Sequence, residues 1–114
     1  MAPKNNPRGL NKLQLKTLCL LQELARHPET SSPVGDTGEV MISNLPNPHG
    51  DHFHVGPRVA MAKDATGFRN QAVWVALERK GLARSSFPFS ISLTAEGIEY
   101  DTGQRDAILY GDDH

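Results

Sequence analysis

The chain has one cysteine, Cys19, in 114 residues, so no internal disulfide is available to it. It has no apolar run near the ~20 residues that a membrane span needs. The first nine residues, MAPKNNPRG, carry charge but no apolar stretch of the kind a secretory leader uses. Glycines are scattered, and none forms the G-x-x-x-x-G-K pattern that cradles phosphates. Serines and histidines occur without a nucleophile motif around them, so no catalytic role is expected. A reducing, cytoplasmic setting is the expectation, with no membrane partner.

What remains is a globular composition, 38% hydrophobic and 22% charged, in a chain long enough for one modest core. The net charge of −1 hides an uneven distribution. Residues 1–16 carry Lys4, Arg8, Lys12 and Lys16 and no acid. Residues 57–85 carry Arg58, Lys63, Arg69, Arg79, Lys80 and Arg84 against Asp64 and Glu78, a net of +4. Residues 96–114 carry Glu96, Glu99, Asp101, Asp106, Asp112 and Asp113 against Arg105, a net of −5. Such blocks either solvate their own surface or mark where a charged partner lands.

Along the chain, Met1–Gly9 reads as a flexible basic arm. Leu10–Arg26 is a helix with leucines at spacings of three and four, capped by Asn11 and ended before Pro28. Cys19 lies among those leucines as a small core residue. Glu29–Thr37 reads as loop, and Glu39–Ser43 and Asp51–Val55 as strands of an extra hairpin. A short helix is expected over Arg58–Lys63, with Pro57 at its first position. A longer one is expected over Phe68–Lys80, stopped by Gly81 with Arg79 and Lys80 in its last turn. Leu82–Arg84 and Phe89–Leu93 are β-prone around the turn Ser85–Pro88. Thr94 caps a final short helix to Tyr100, and 101–114 reads as an acidic tail. Within that tail Ala107–Tyr110 is an apolar patch, suited to docking on a partner subunit or on the first helix.

The stretch Arg69–Ala83, RNQAVWVALERKGLA, resembles bacterial winged-helix regulators of the MarR and PadR type. Their L-E-x-K-G-L phrase is matched by Leu77, Glu78, Arg79, Lys80, Gly81 and Leu82. Their wing-closing L-T-x-x-G phrase is matched by Leu93, Thr94, Ala95, Glu96 and Gly97. The resemblance implies an α+β winged helix-turn-helix over residues 10–100, mostly helical, with a C-terminal hairpin wing at 82–93; the extra hairpin read between the first two helices is a longer excursion than the plain pattern has. It implies a DNA-binding transcriptional regulator, with helix 68–80 in the major groove of double-stranded DNA and the wing near the backbone. A homodimer is the expected assembly. Arg69, Asn70 and Gln71 are then placed to read base edges, since Arg chelates guanine and Asn or Gln adenine. Lys63, Arg79 and Arg84 are placed at phosphates.

Two features depart from that pattern. Val73–Leu77 is apolar over five consecutive residues, so Trp74 or Val75 is expected at the surface. The wing tip carries Phe87 and Phe89 where phosphate-riding wings carry cations. Trp74, Phe87 and Phe89 therefore suggest the alternative, a protein-interaction module or dimer surface without DNA binding.

His49, Asp51, His52 and His54 form the one concentrated group of metal-type side chains. Alternation puts His52 and His54 on one face of a strand, as a Zn²⁺ or Ni²⁺ site would use. The spacing matches no established zinc pattern and supplies no further ligand pair, so a polar hairpin face is the favoured reading and no cofactor is expected. Titration of these histidines near neutral pH is the third option.

Overall fold

The computed structural model describes residues 6–43, 45–48 and 50–111. It is α+β, with four helices and two antiparallel sheets among the described residues. Helix α1 (Lys12–Ala25) begins as expected at Asn11, in a reciprocal capping box with Gln14. Strands β1 (Ser31–Val34) and β2 (Glu39–Ile42) follow as a hairpin. The expected loop 29–37 thus contains a strand, with Ser31–Val34 paired residue by residue against β2.

Strands β3 (His52–Val55) and β4 (Arg58–Met61) form the second sheet. The helix expected over Arg58–Lys63 is not formed. Gly56 adopts φ 62° and makes with Pro57 a tight turn that pairs Val55 with Arg58. Pro57 therefore serves a hairpin turn rather than the start of a helix. The expected pairing of 39–43 with 51–55 also gives way. β2 pairs instead with β1 and β6, where Ile42, Ile91 and Leu93 are fully buried.

Two 3-10 turns, Ala62–Asp64 and Thr66–Arg69, lead into α2 (Gln71–Arg79). The expected single helix 68–80 is broken at Asn70, whose backbone is extended and whose side-chain oxygen caps the Ala72 amide. Gly81 ends α2 with φ 79°, as its position after the helix predicts. Strands β5 (Ala83–Ser86) and β6 (Ser90–Leu93) complete a sheet of order β1-β2-β6-β5. Thr94 caps α3 (Ala95–Glu99), and α4 (Arg105–Ile108) follows. Gly97 sits inside α3 because a Cβ there would fall 2.0 Å from the Leu82 carbonyl oxygen.

The core joins the leucines of α1 to Trp74 and Leu77 of α2 and to Ile42, Ile91 and Leu93 of the sheet. It extends past Tyr100, because Thr102, Gln104, Ile108 and Leu109 are buried. Of the apolar patch at 107–110, Ile108 and Leu109 turn inward while Ala107 and Tyr110 stay exposed, and Tyr110 bridges to Val59 through two backbone hydrogen bonds of 2.8 and 2.9 Å. Asn6–Gly9, the described part of the expected arm, lies on the domain. Arg8 pairs with Glu96 at 2.7 Å, and the Tyr100 hydroxyl donates to Asn6.

Candidate nucleic-acid interface

Helix α2 follows two short turns and runs directly into the β5–β6 hairpin. Its inward residues are Val73, Trp74 and Leu77. Trp74 is 0% exposed, its indole N–H donates to the Gly67 carbonyl at 3.1 Å, and its ring meets Phe87 edge to face at 4.8 Å. The five-residue apolar run is therefore covered on two sides, and Val75, 37% exposed, is the residue that reaches solvent. Trp74 is core, and Phe87 packs on the core, so neither presents the open aromatic surface expected of it. Phe89 does, at 80% exposure.

The outward face of α2 carries Gln71, Ala72, Val75, Glu78 and Arg79. Gln71 and Arg79 are exposed, and Arg79 makes no ion pair among the described residues. Asn70 is half-buried, with its side-chain oxygen committed to the Ala72 amide at 3.0 Å. Base reading by Asn70 in the bidentate manner would break that cap. Arg69 is exposed on the turn before α2 and donates to Asn47 Oδ1 at 3.2 Å. Together with Leu45, Pro46, Phe68, Phe87 and Pro88 it lines a cleft of about 190 Å³. Arg84 is exposed, but Glu39 accepts from its Nε at 3.0 and 3.1 Å, which offsets its charge. Lys80 Nζ donates to the Arg8 carbonyl at 2.8 Å.

Lys63 stands on the first 3-10 turn. It lines a separate cleft with Lys12 and Lys16 of α1, beside Asp64. Lys16 and the buried Asp64 pair at 2.7 Å. The sequence shows Lys12 and Lys16 one helical turn apart, but nothing in it says that Lys63 meets them.

Of the histidine group, His49 lies outside the described residues. His52 and His54 do share a strand face, with ring centroids 5.1 Å apart, and His52 Nδ1 lies 3.4 Å from the exposed Asp51. Among the described residues no three His, Cys, Asp or Glu side chains gather to hold a metal ion. Cys19 is buried, and burial pushes its thiol up from the ordinary value, while Thr102 beside it works the other way.

A polar network that the sequence did not signal centres on Glu23, whose side chain is 3% exposed. It contacts His27 Nε2 at 3.1 Å, Arg105 and, at 4.0 Å, Arg26. Burial alone would push the Glu23 carboxyl up. Hydrogen bonds from His27 and Arg105, with the charges of Arg105 and Arg26, outweigh burial and hold it below the ordinary carboxylate value.

Comparison of the chain with protein-family models, curated proteins and solved structures finds no match.

Proposed function

We propose that this chain is a winged helix-turn-helix DNA-binding protein, a transcriptional regulator that sets α2 in the major groove with the β5–β6 hairpin beside the backbone. The observation that carries this reading is the pairing of β2 with β6, which fixes the hairpin at the end of α2 while leaving Gln71 and Arg79 in solvent. In this reading the β3–β4 hairpin and two 3-10 turns stand where a second helix is expected. Arg69 and Gln71 read bases, and Arg79 neutralises a flanking phosphate. Arg84 contributes less, because Glu39 already neutralises it. The working form is a homodimer on a two-fold site.

Salt-dependent binding to duplex DNA, followed by fluorescence anisotropy, tests the reading. Affinity falls steeply as salt rises, because bound cations release counterions. Arg69→Ala weakens binding by about tenfold on a preferred site. Binding that is absent at low salt removes the proposal.

A second reading is favoured by Phe89 alone. An exposed phenyl stands one residue from Pro88, a wall of the cleft that Phe87 and Phe68 line. Knob and hole on one surface are what a two-fold contact between identical copies requires. In that case the chain self-associates through the wing tip, and Phe89→Ser abolishes the dimer in analytical ultracentrifugation. An unchanged dimer, or a monomer in both proteins, discards this reading.

A further inference from the structure

We infer that the cleft between Lys12, Lys16 and Lys63 is a second nucleic-acid contact, which takes a backbone phosphate in addition to those met by α2. The inference rests on the DNA-binding reading and extends its footprint to α1. The cleft has a volume of about 210 Å³, and three lysines reach it from two elements that pack together. One carboxylate, Asp64, lies among them and is engaged by Lys16 at 2.7 Å. The remaining formal charge is +2, carried by Lys12 and Lys63. Both are exposed, and among the described residues neither makes an ion pair.

The placement of these lysines works against local stability. Lys12 is the first residue of α1, where the helix dipole disfavours a cation, and the first turn holds no acid to offset it. Lys12 and Lys16 are four apart on that helix, a spacing at which like charges repel. Lys63 adds a third cation across the cleft. Asp64 offsets Lys16, but no ion pair among the described residues offsets Lys12 at the helix start or Lys63 across the cleft, and uncompensated cations at one spot point to a ligand. The helix end itself is not the receptor, since the Gln14 amide already donates to Asn11 at 2.8 Å. The ammonium groups are the donors, and a phosphodiester oxygen is the acceptor that suits them. Asp64 holds Lys16 in place, so Lys12 and Lys63 are the residues free to close on it.

The experiment is the anisotropy salt series repeated with the double variant Lys12→Gln/Lys63→Gln, beside wild type and Arg69→Ala. Lys16 is left intact because its loss would strand the buried Asp64. Both substituted residues are exposed, and a matching thermal melt verifies the fold. The expected result is a log–log salt slope shallower by about one, with affinity down several-fold and base preference unchanged. A slope and affinity equal to wild type overturn the inference while leaving the DNA reading standing. No duplex binding by wild type removes both. A titration with inorganic phosphate then separates the sources: shifts confined to the backbone amides at Lys12 and Lys63 mean a free-phosphate site, which also overturns the nucleic-acid assignment.

Discussion

The β3–β4 and β5–β6 hairpins each pair four residues with four, yet different chemistry holds them to the rest of the chain. The β5–β6 hairpin joins a four-stranded sheet and packs its Phe87 on Trp74, so apolar contact fixes it. The β3–β4 hairpin pairs with no third strand of a sheet. Two strands alone are marginal in water. This pair buries Phe53, Val55 and Ala60, and its other ties are polar or backbone. Tyr110 adds two backbone hydrogen bonds to Val59. Gly56 at the turn lies against His27, where a Cβ would fall 2.4 Å from the ring, and His27 belongs to the Glu23 network. The β5–β6 hairpin meets carboxylates at exposed sites, Glu39 on Arg84 and Glu78 at the Ser85 amide, whereas the β3–β4 hairpin lies against a network around a buried carboxylate and against a late backbone segment.

The largest expected effect breaks the apolar side. Trp74→Ala removes the ring beneath Phe87 and costs about 4 kcal/mol, measured by urea unfolding. A loss below about 1 kcal/mol would mean that the β5–β6 hairpin is held by its sheet alone. Next comes the polar side. Arg105→Ala leaves Glu23 with His27 as its main partner and costs about 2 kcal/mol at neutral pH, less than a fully buried pair because Arg105 is 38% exposed. The Glu23 value is lowered in the folded state, so its stabilising contribution is complete above the ordinary value of 4.5 and is lost as pH falls through the lower folded-state value. The penalty for Arg105→Ala should shrink across that same fall, and a penalty that stays constant while the Glu23 carboxyl takes up its proton would contradict this assignment. The smallest effect is local. Ending the chain after Leu109 removes both Tyr110 bonds and costs about 1 kcal/mol. Hydrogen exchange should quicken at Val59 while Ile91, on the wing, stays protected. Equal quickening at both would show that the two hairpins open as one unit.

How far the sequence could be read depended on how local the deciding interaction was. The Asn11 cap, the Gly81 stop, the Thr94 cap and the β5–β6 hairpin were legible because each is settled by residues within one turn. Cys19 was legible as core because its neighbours are leucines. Pro57 misled, since the same dipeptide serves a helix start or a hairpin turn. The five apolar residues of α2 were read as leaving Trp74 or Val75 at the surface, and Val75 is the exposed one; periodicity alone did not say which of the two would be covered. For the candidate interface, Arg69, Gln71 and Arg79 were singled out from an expected single helix, which Asn70 breaks so that Arg69 lies on the turn before α2. Trp74 was removed from the surface by that turn and by the β5–β6 hairpin. Lys12 and Lys16 could not be joined to Lys63, nor Glu23 to Arg105, across gaps of 47 and 82 residues.

The sequence by itself determined the Asn11 and Thr94 caps, the Gly81 stop, the β5–β6 hairpin and which charges are available. Caps, glycine conformations and short-range pairs act within a few residues, so the chain carries that information in order. Only the tertiary structure decided that 58–61 is a strand, that Trp74 is inside, that β2 lies between β1 and β6, and that three lysines share one cleft. Each of those outcomes is set by burial and hydrogen bonding between segments far apart in the chain, and its free energy exists only once both segments are in place.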